Sequence, residues 1–313
     1  MSDTTSEWVF DEIGDPDEFF IGLVKERLPN KADAFQEIVG QKSISFTTNE
    51  NEERCFFTVN YDTSEITVGV RAAARLMAHS FAYSCAHYGL LLKIQSLIKE
   101  QSTPDAYETC ILNASYILQW AVAGDVESKG ALPDRVGLPV CPPADLLTAF
   151  QNSMPSDKQD VAGVIYANAI VWFLLHEVSH LELGHDDCKG FESIEQEKEA
   201  DRRAAAWMLD DEGIDQIDLQ RRKLGVATAL GWLVAPRVYL GTKPSNTHPA
   251  AYNRLCHVLD GALPSDDDCW LFVQVVLMLH VINHELAYDD NRFVPDFRAN
   301  VDYLIDIIAS VEA

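Results

Sequence analysis

His176 and His180 stand four residues apart, with Glu177 directly after the first, and no other feature restricts the fold of this chain as much. On a helix the two imidazoles project from one face, one turn apart. That is the spacing at which two ring nitrogens reach a single Zn²⁺ at about 2.0–2.1 Å. A carboxylate at position 177 lies where it can touch a metal-held water without ligating the ion. Two histidines leave the site incomplete, because a catalytic zinc takes three protein ligands and keeps a fourth position open. The third comes 17 residues past His180, in Glu197-Lys-Glu-Ala-Asp201. Gly184 supplies a helix end, the polar stretch 185–193 turns the chain, and a second helix from about Ser193 brings Glu197 back beneath the histidines. Asp201 follows one turn later on the same face. There it is placed to accept the spare N–H of a ligand histidine, His176 by expectation, and so to fix its tautomer.

The combination of His176-Glu-Val-Ser-His180 with Glu197-x-x-Ala-Asp201 resembles the gluzincin zinc metallopeptidases, whose third ligand is a glutamate on a neighbouring helix. The Glu-x-x-Ala-Asp form is similar to that of the CAAX prenyl endopeptidases and their bacterial heat-shock relatives. Thr247-His248-Pro249, with Arg254 five residues on, resembles the His-Pro segment those families carry beyond the zinc helix. The resemblance covers residues 165–256. It implies a Zn²⁺-dependent endopeptidase with Glu177 as general base and His248 facing the metal to steady an oxyanion, Tyr252 being the alternative donor. It also implies a strand beside the zinc helix that pairs with an extended protein substrate. The general layout is similar to the phage-exclusion peptidases of the Lit type, which implies a restricted substrate or a regulatory partner, in stress or phage defence. A second likeness, to regulatory peptidases of the ImmA/IrrE type, rests on HExxH and a Glu-x-Glu-Ala-Asn-like helix, with Asp201 in place of the asparagine. A zinc-containing module that works by binding a partner, and a zinc hydrolase of non-peptide bonds, are the other classes compatible with the ligand set.

Other histidines and acids have plainer readings. His185 lacks the longer spacing that a three-histidine ligand scheme uses and reads instead as a helix-end residue near the last carbonyls, and Glu182 and Glu199 read as solvated helix faces. His280 and His284 follow a run of apolar residues from Trp270, which reads as a core helix, and His79 and His87 lie in an alanine- and leucine-rich helix.

A net charge of −25 excludes binding to nucleic acid or an anionic membrane through bulk electrostatics. The apolar runs 161–175 and 270–282 fall short of the roughly 20 residues of a membrane span. Seven scattered cysteines without a CxxC pair, and an acidic start in place of a signal peptide, lead to the expectation of a cytoplasmic chain with free thiols.

The pattern of elements predicts a mainly α (α+β) protein with a small antiparallel sheet. Helices are expected over 16–28, 71–99, 105–123, 162–183, 193–209, 217–240, 268–286 and 295–311. A hairpin is expected from 54–59 and 65–70. Residues 124–145, with four prolines, form a long connection suited to shaping or capping a cleft. The organisation expected is an N-terminal α/β region over 1–70 and a helical zinc metallopeptidase domain over 71–313. Oligomeric state is not encoded in any feature of the sequence.

Overall fold

The apolar run 161–175 folds as the middle of a 28-residue helix, α6 (Ser156–Leu183), and the rest of the protein is arranged around it. The structure, a computed structural model, describes residues 14–49, 57–100, 105–127, 144–185, 191–210, 213–240, 249–289, 292 and 294–310. The helix starts after Pro155, six residues earlier than the apolar pattern predicts, because a Pro immediately before a helix ends the preceding chain without costing a hydrogen bond. Apolar on all sides rather than along one stripe, α6 has the composition of a helix covered on every face. By length and composition it is long enough to cross a bilayer, yet 83% of its apolar window is buried inside the fold.

α3 (Val70–Ile98), α7 (Phe191–Leu209) and α8 (Gln216–Leu240) pack directly on α6. The crossing with α8 is close: a Cβ on Gly225 would lie 2.4 Å from the Cβ of Asn168, so glycine is required there. α4 (Asp105–Glu127) lies along α3, and α5 (Ala144–Ser153) fills the space between α4 and α6. α9 (Ala251–Ala262) rests on α7 and α8, while α10 (Cys269–Asn283) joins α3 and α8 to α11 (Phe297–Ser310). In that layer His280 is a core histidine, with the Tyr83 hydroxyl 2.6 Å from its Nε2. Cys85, Cys110 and Cys269 are buried free thiols, and burial pushes the pKa of each upward, which leaves them unreactive.

The N-terminal segment braces the same helix. α1 (Pro16–Arg27) begins where the Asp15 carboxylate accepts from the Asp17 N–H at 2.9 Å. A 3₁₀ turn at Pro29–Lys31 leads into α2 (Ala32–Lys42), and Lys31 Nζ donates to the carbonyls of Ala206, Trp207 and Asp210 at 2.6–3.0 Å. This lysine caps the C-terminal end of α7.

The expected hairpin is present as β2 (Phe57–Asn60) and β3 (Glu65–Gly69), antiparallel with Phe57 opposite Val68 and Asn60 opposite Glu65; positions 54–56 lie outside the described residues. A further strand, β1 (Ser45–Asn49), lies on the other side of β3 and runs parallel to it, so the sheet has the order β1-β3-β2 and is mixed rather than wholly antiparallel. β1 carries one buried apolar residue, Phe46, and is held instead by the Thr47–Thr67 hydroxyl pair at 3.1 Å and by the Phe46 N–H donating to Asp17 at 2.6 Å. Phe46, Phe57, Ile66 and Val68 pack with Phe20 into a core continuous with α6. β3 runs directly into α3, and β2 packs against α6 near its histidine end. The sheet is thus a wall beside the histidine-bearing end of α6.

Candidate active site

His176 and His180 project from one face of α6, and α7 returns across that face with Glu197. Gly184, at φ +72°, ends α6 in a left-handed turn that only glycine enters cheaply and so allows the reversal. The Nε2 atoms of the two histidines are 3.1 Å apart. Glu197 places Oε2 3.5 Å from His176 Nε2 and Oε1 3.6 Å from His180 Nε2. All three side chains are buried, and among the described residues they form a group able to hold a metal ion. For ligands at about 2.0–2.1 Å in a tetrahedron, the edge between donors is about 3.4 Å. The histidine pair lies close to that edge, and Glu197 turns a different oxygen to each histidine at a similar distance. Two buried ring nitrogens with converging lone pairs repel unless a cation or a proton lies between them, so the donor set fits a small dication.

The ring of His176 is fixed from behind. Its Nδ1 lies 3.0 Å from Asp201 Oδ1, and the Trp172 ring, one turn earlier on α6, stacks on it with centroids 5.7 Å apart. Asp201 is fully buried and held in turn by Arg254 on α9, whose Nε and Nη2 donate to Oδ2 and Oδ1 at 2.9 and 2.7 Å. The third guanidinium nitrogen, Nη1, lies 3.2 Å from Glu197 Oε2. One arginine therefore ties together the two carboxylates that approach the histidines.

Charge in this cluster is unevenly held. Burial pulls the His176 pKa down, but the hydrogen bonds to Asp201 and Glu197 outweigh it and hold it up at about 10. Burial, reinforced by the charge on His176, drives His180 down to about 3. The pair together takes up one positive charge, which is what an ion in the same place would replace. Asp201 is held below the usual carboxylate range: burial opposes this, and Arg254 and His176 overcome it. Glu177 is only partly buried, as a group that must meet water should be, and its pKa is pushed up to about 7, first by burial and then by neighbouring Glu197.

The structure thus brings His176, Glu177, His180, Glu197 and Asp201 to one place. His248 and the connection at 131–143 lie outside the described residues. Tyr252 sits in the first turn of α9, two residues before Arg254, partly buried against the core. Three participants were not singled out from sequence as parts of the site. Tyr61, just after β2, sets its ring edge-on to His180 with centroids 6.3 Å apart. His185 and Glu199 lie behind His180, with His185 Nδ1 3.0 Å from His180 Nδ1 and His185 Nε2 3.3 Å from Glu199 Oε2. The tie of Arg254 to both Glu197 and Asp201 was equally unforeseen. Its only sequence signal was its place five residues after Pro249.

Comparison with known proteins points to a peptidase. The family model described as Peptidase U49 matches residues 76–275, a span that includes α6, α7, α8 and α9. The chain is 38% identical over 100 residues to the cell death peptidase of Escherichia coli (strain K12), an alignment covering 32% of this chain and 34% of that protein. The chain therefore spans about a third of the length of that relative. No solved structure matches.

Proposed function

Since the chain belongs to the Peptidase U49 family, we propose that it is a zinc-dependent endopeptidase in which His176, His180 and Glu197 hold the metal and Glu177 is the general base. The observation that carries this reading is the convergence of three buried donor groups: the histidine Nε2 atoms lie 3.1 Å apart, near the edge of a zinc tetrahedron, and Glu197 turns one oxygen to each of them at 3.5 and 3.6 Å. When bound, the metal supplies an electrophile that polarises a peptide carbonyl and acidifies water.

The remaining work falls to side chains. Glu177 takes one proton from the attacking water as its oxygen bonds to the carbonyl carbon, and returns that proton to the amine nitrogen as the C–N bond breaks. A carboxyl with a pKa near 7 is suited to both transfers at neutral pH. Asp201 keeps the His176 proton on Nδ1, which leaves the Nε2 lone pair directed at Glu197 and His180. His248, or Tyr252 at the start of α9, donates to the developing oxyanion, a contribution of about 3 kcal/mol when one such donor is removed. The substrate is an extended polypeptide. It adds to the edge of β2, the strand that packs on α6 beside Tyr61, whereas the Phe46 N–H of β1 is already taken by Asp17.

The name of the relative, cell death peptidase, supports cleavage of a restricted set of proteins, under stress or in phage defence, over general digestion. Metal content and activity separate the assigned roles. Glu177→Ala should keep close to one zinc per chain and lose peptidase activity, while His180→Ala and Glu197→Ala lose both. A Glu177→Ala protein that loses zinc as readily as Glu197→Ala would overturn the assignment.

A further inference from the structure

We infer that His185 is a positioning residue for the second metal histidine: it accepts the Nδ1 proton of His180 and passes the orientation on to Glu199. The inference rests on the reading of His176, His180 and Glu197 as a metal site. It begins with the turn that ends α6. The Gly184 N–H bonds to the Leu181 carbonyl at 3.3 Å and the His185 N–H to the His180 carbonyl at 2.9 Å. This is the Schellman arrangement, in which the residue after the left-handed glycine is brought back against the residue five earlier, usually through an apolar contact. Here both residues are histidines. Their rings meet edge to face with centroids 5.0 Å apart, and the His185 side chain is only 7% exposed.

The proton inventory then leaves one arrangement. His180 turns Nε2 toward His176 and Glu197, so a lone pair there requires its proton on Nδ1. That Nδ1 is 3.0 Å from His185 Nδ1, and two N–H groups cannot face each other at this distance. His185 must therefore present a lone pair at Nδ1 and carry its own proton on Nε2, where Glu199 Oε2 lies 3.3 Å away to accept it. His176 is held in the same tautomer by Asp201. Each ligand histidine thus has its own partner at Nδ1, one a carboxylate delivered by α7 and one an imidazole delivered by the helix-ending turn. The geometry also removes His185 from the ligand set, because it meets His180 on the side away from Glu197.

The test uses the full chain with His185→Ala and His185→Asn. An asparagine side chain can place its amide oxygen near the site of the lost Nδ1. Zinc affinity, measured by competition with a chromogenic chelator, should fall by about 10–100-fold in His185→Ala, the usual cost of losing such a partner, and be largely restored in His185→Asn. Long-range ¹⁵N–¹H correlations of the zinc-loaded wild type should place the His185 proton on Nε2 and none on Nδ1. Melting of the metal-free variants controls for folding: a merely structural role would lower stability and leave affinity unchanged. An Ala variant with wild-type affinity, or a proton on His185 Nδ1 in the zinc-loaded protein, overturns the inference while leaving the metal site standing. A folded wild type that takes up no zinc overturns both.

Discussion

Asp201→Asn is the substitution for which the structure gives the sharpest expectation. The side chain keeps its shape, so any effect comes from charge and proton placement. Asp201 Oδ1 faces His176 Nδ1 at 3.0 Å and Arg254 Nη2 at 2.7 Å, and Oδ2 faces Arg254 Nε at 2.9 Å. An asparagine must put its NH₂ at one of these positions. Facing Arg254, it opposes donor to donor. Facing His176, it pushes the ring toward the tautomer with its proton on Nε2, the atom that should hold the metal. Either way zinc affinity should drop by about 10–100-fold, or about 1.4–2.7 kcal/mol. Stability of the metal-free protein should drop as well. Removing one partner of a buried ion pair costs about 3–5 kcal/mol, and the lower end applies because Glu197 Oε2 still lies 3.2 Å from the guanidinium.

A loss of about 3 kcal/mol leaves a domain of ordinary stability folded, so both quantities are measurable on one protein, by urea unfolding without metal and by chelator competition with it. Adding Arg254→Met to Asp201→Asn removes a guanidinium whose main partner is already gone but also takes the partner of Glu197 at 3.2 Å, so the two folding losses should be less than additive while the zinc defect persists. An Asp201→Asn protein with wild-type zinc affinity and an unchanged urea midpoint would refute the reasoning. So would a double variant less stable than either single one by the full sum.

Three further expectations are independent of Asp201. Gly184→Ala meets no atom within 4 Å, so its cost is the strain of φ +72°, about 1–2 kcal/mol; an unchanged melting temperature would show that the turn tolerates a side chain. His79 and His280 are buried and neutral, their pKa values lowered mainly by burial to about 4 and about 3. The unfolded chain protonates both below about pH 6.5, so stability is present above that pH and is lost as pH falls from about 6.5 toward 4. The slope for two groups is at most about 2.7 kcal/mol per pH unit, and urea midpoints that do not move between pH 7.5 and 5.5 would contradict it. Finally, zinc-loaded protein should leave casein and most of a cell lysate intact; rapid digestion of both would point to a general peptidase.

Much of the fold was legible because helical periodicity and apolar runs are local signals. α6, α7 and the β2–β3 hairpin all follow from such patterns. What was not legible depended on contacts distant in sequence. β1 has a single buried apolar residue, and its strand state is fixed by β3 and by Asp17 rather than by its own alternation. α2 is short, with buried residues only at Ala32, Phe35 and Val39, and it is stabilised by packing on α6. α9 does carry a local signal, with Ala251, Leu255, Val258 and Leu259 buried at helical spacing, but it is short, lacks a side-chain cap and is easily passed over beside the His-Pro segment. Its position matters nonetheless, because it delivers Arg254.

The site divides along the same line. Residues whose roles follow from spacing on one or two helices, His176, Glu177, His180, Glu197 and Asp201, could be picked out from the sequence and are brought together in the fold. Residues that act on these from outside could not, because their roles depend on the path of the chain. Arg254 is 53 residues from the aspartate it holds. His185 is only five residues from His180, and its place was in principle readable. A glycine ending a helix in the left-handed region folds the following side chain back over the residue five earlier. With His180 at that earlier position and an imidazole at the later one, the helix-ending turn itself delivers a hydrogen-bond partner to the proposed metal site. A reading of HExxH that stops at the helix end treats His185 as a helix-end residue beside the last carbonyls. Carried through the turn, the same geometry places it against the back of the second ligand, where it can set which nitrogen of His180 is free for the metal.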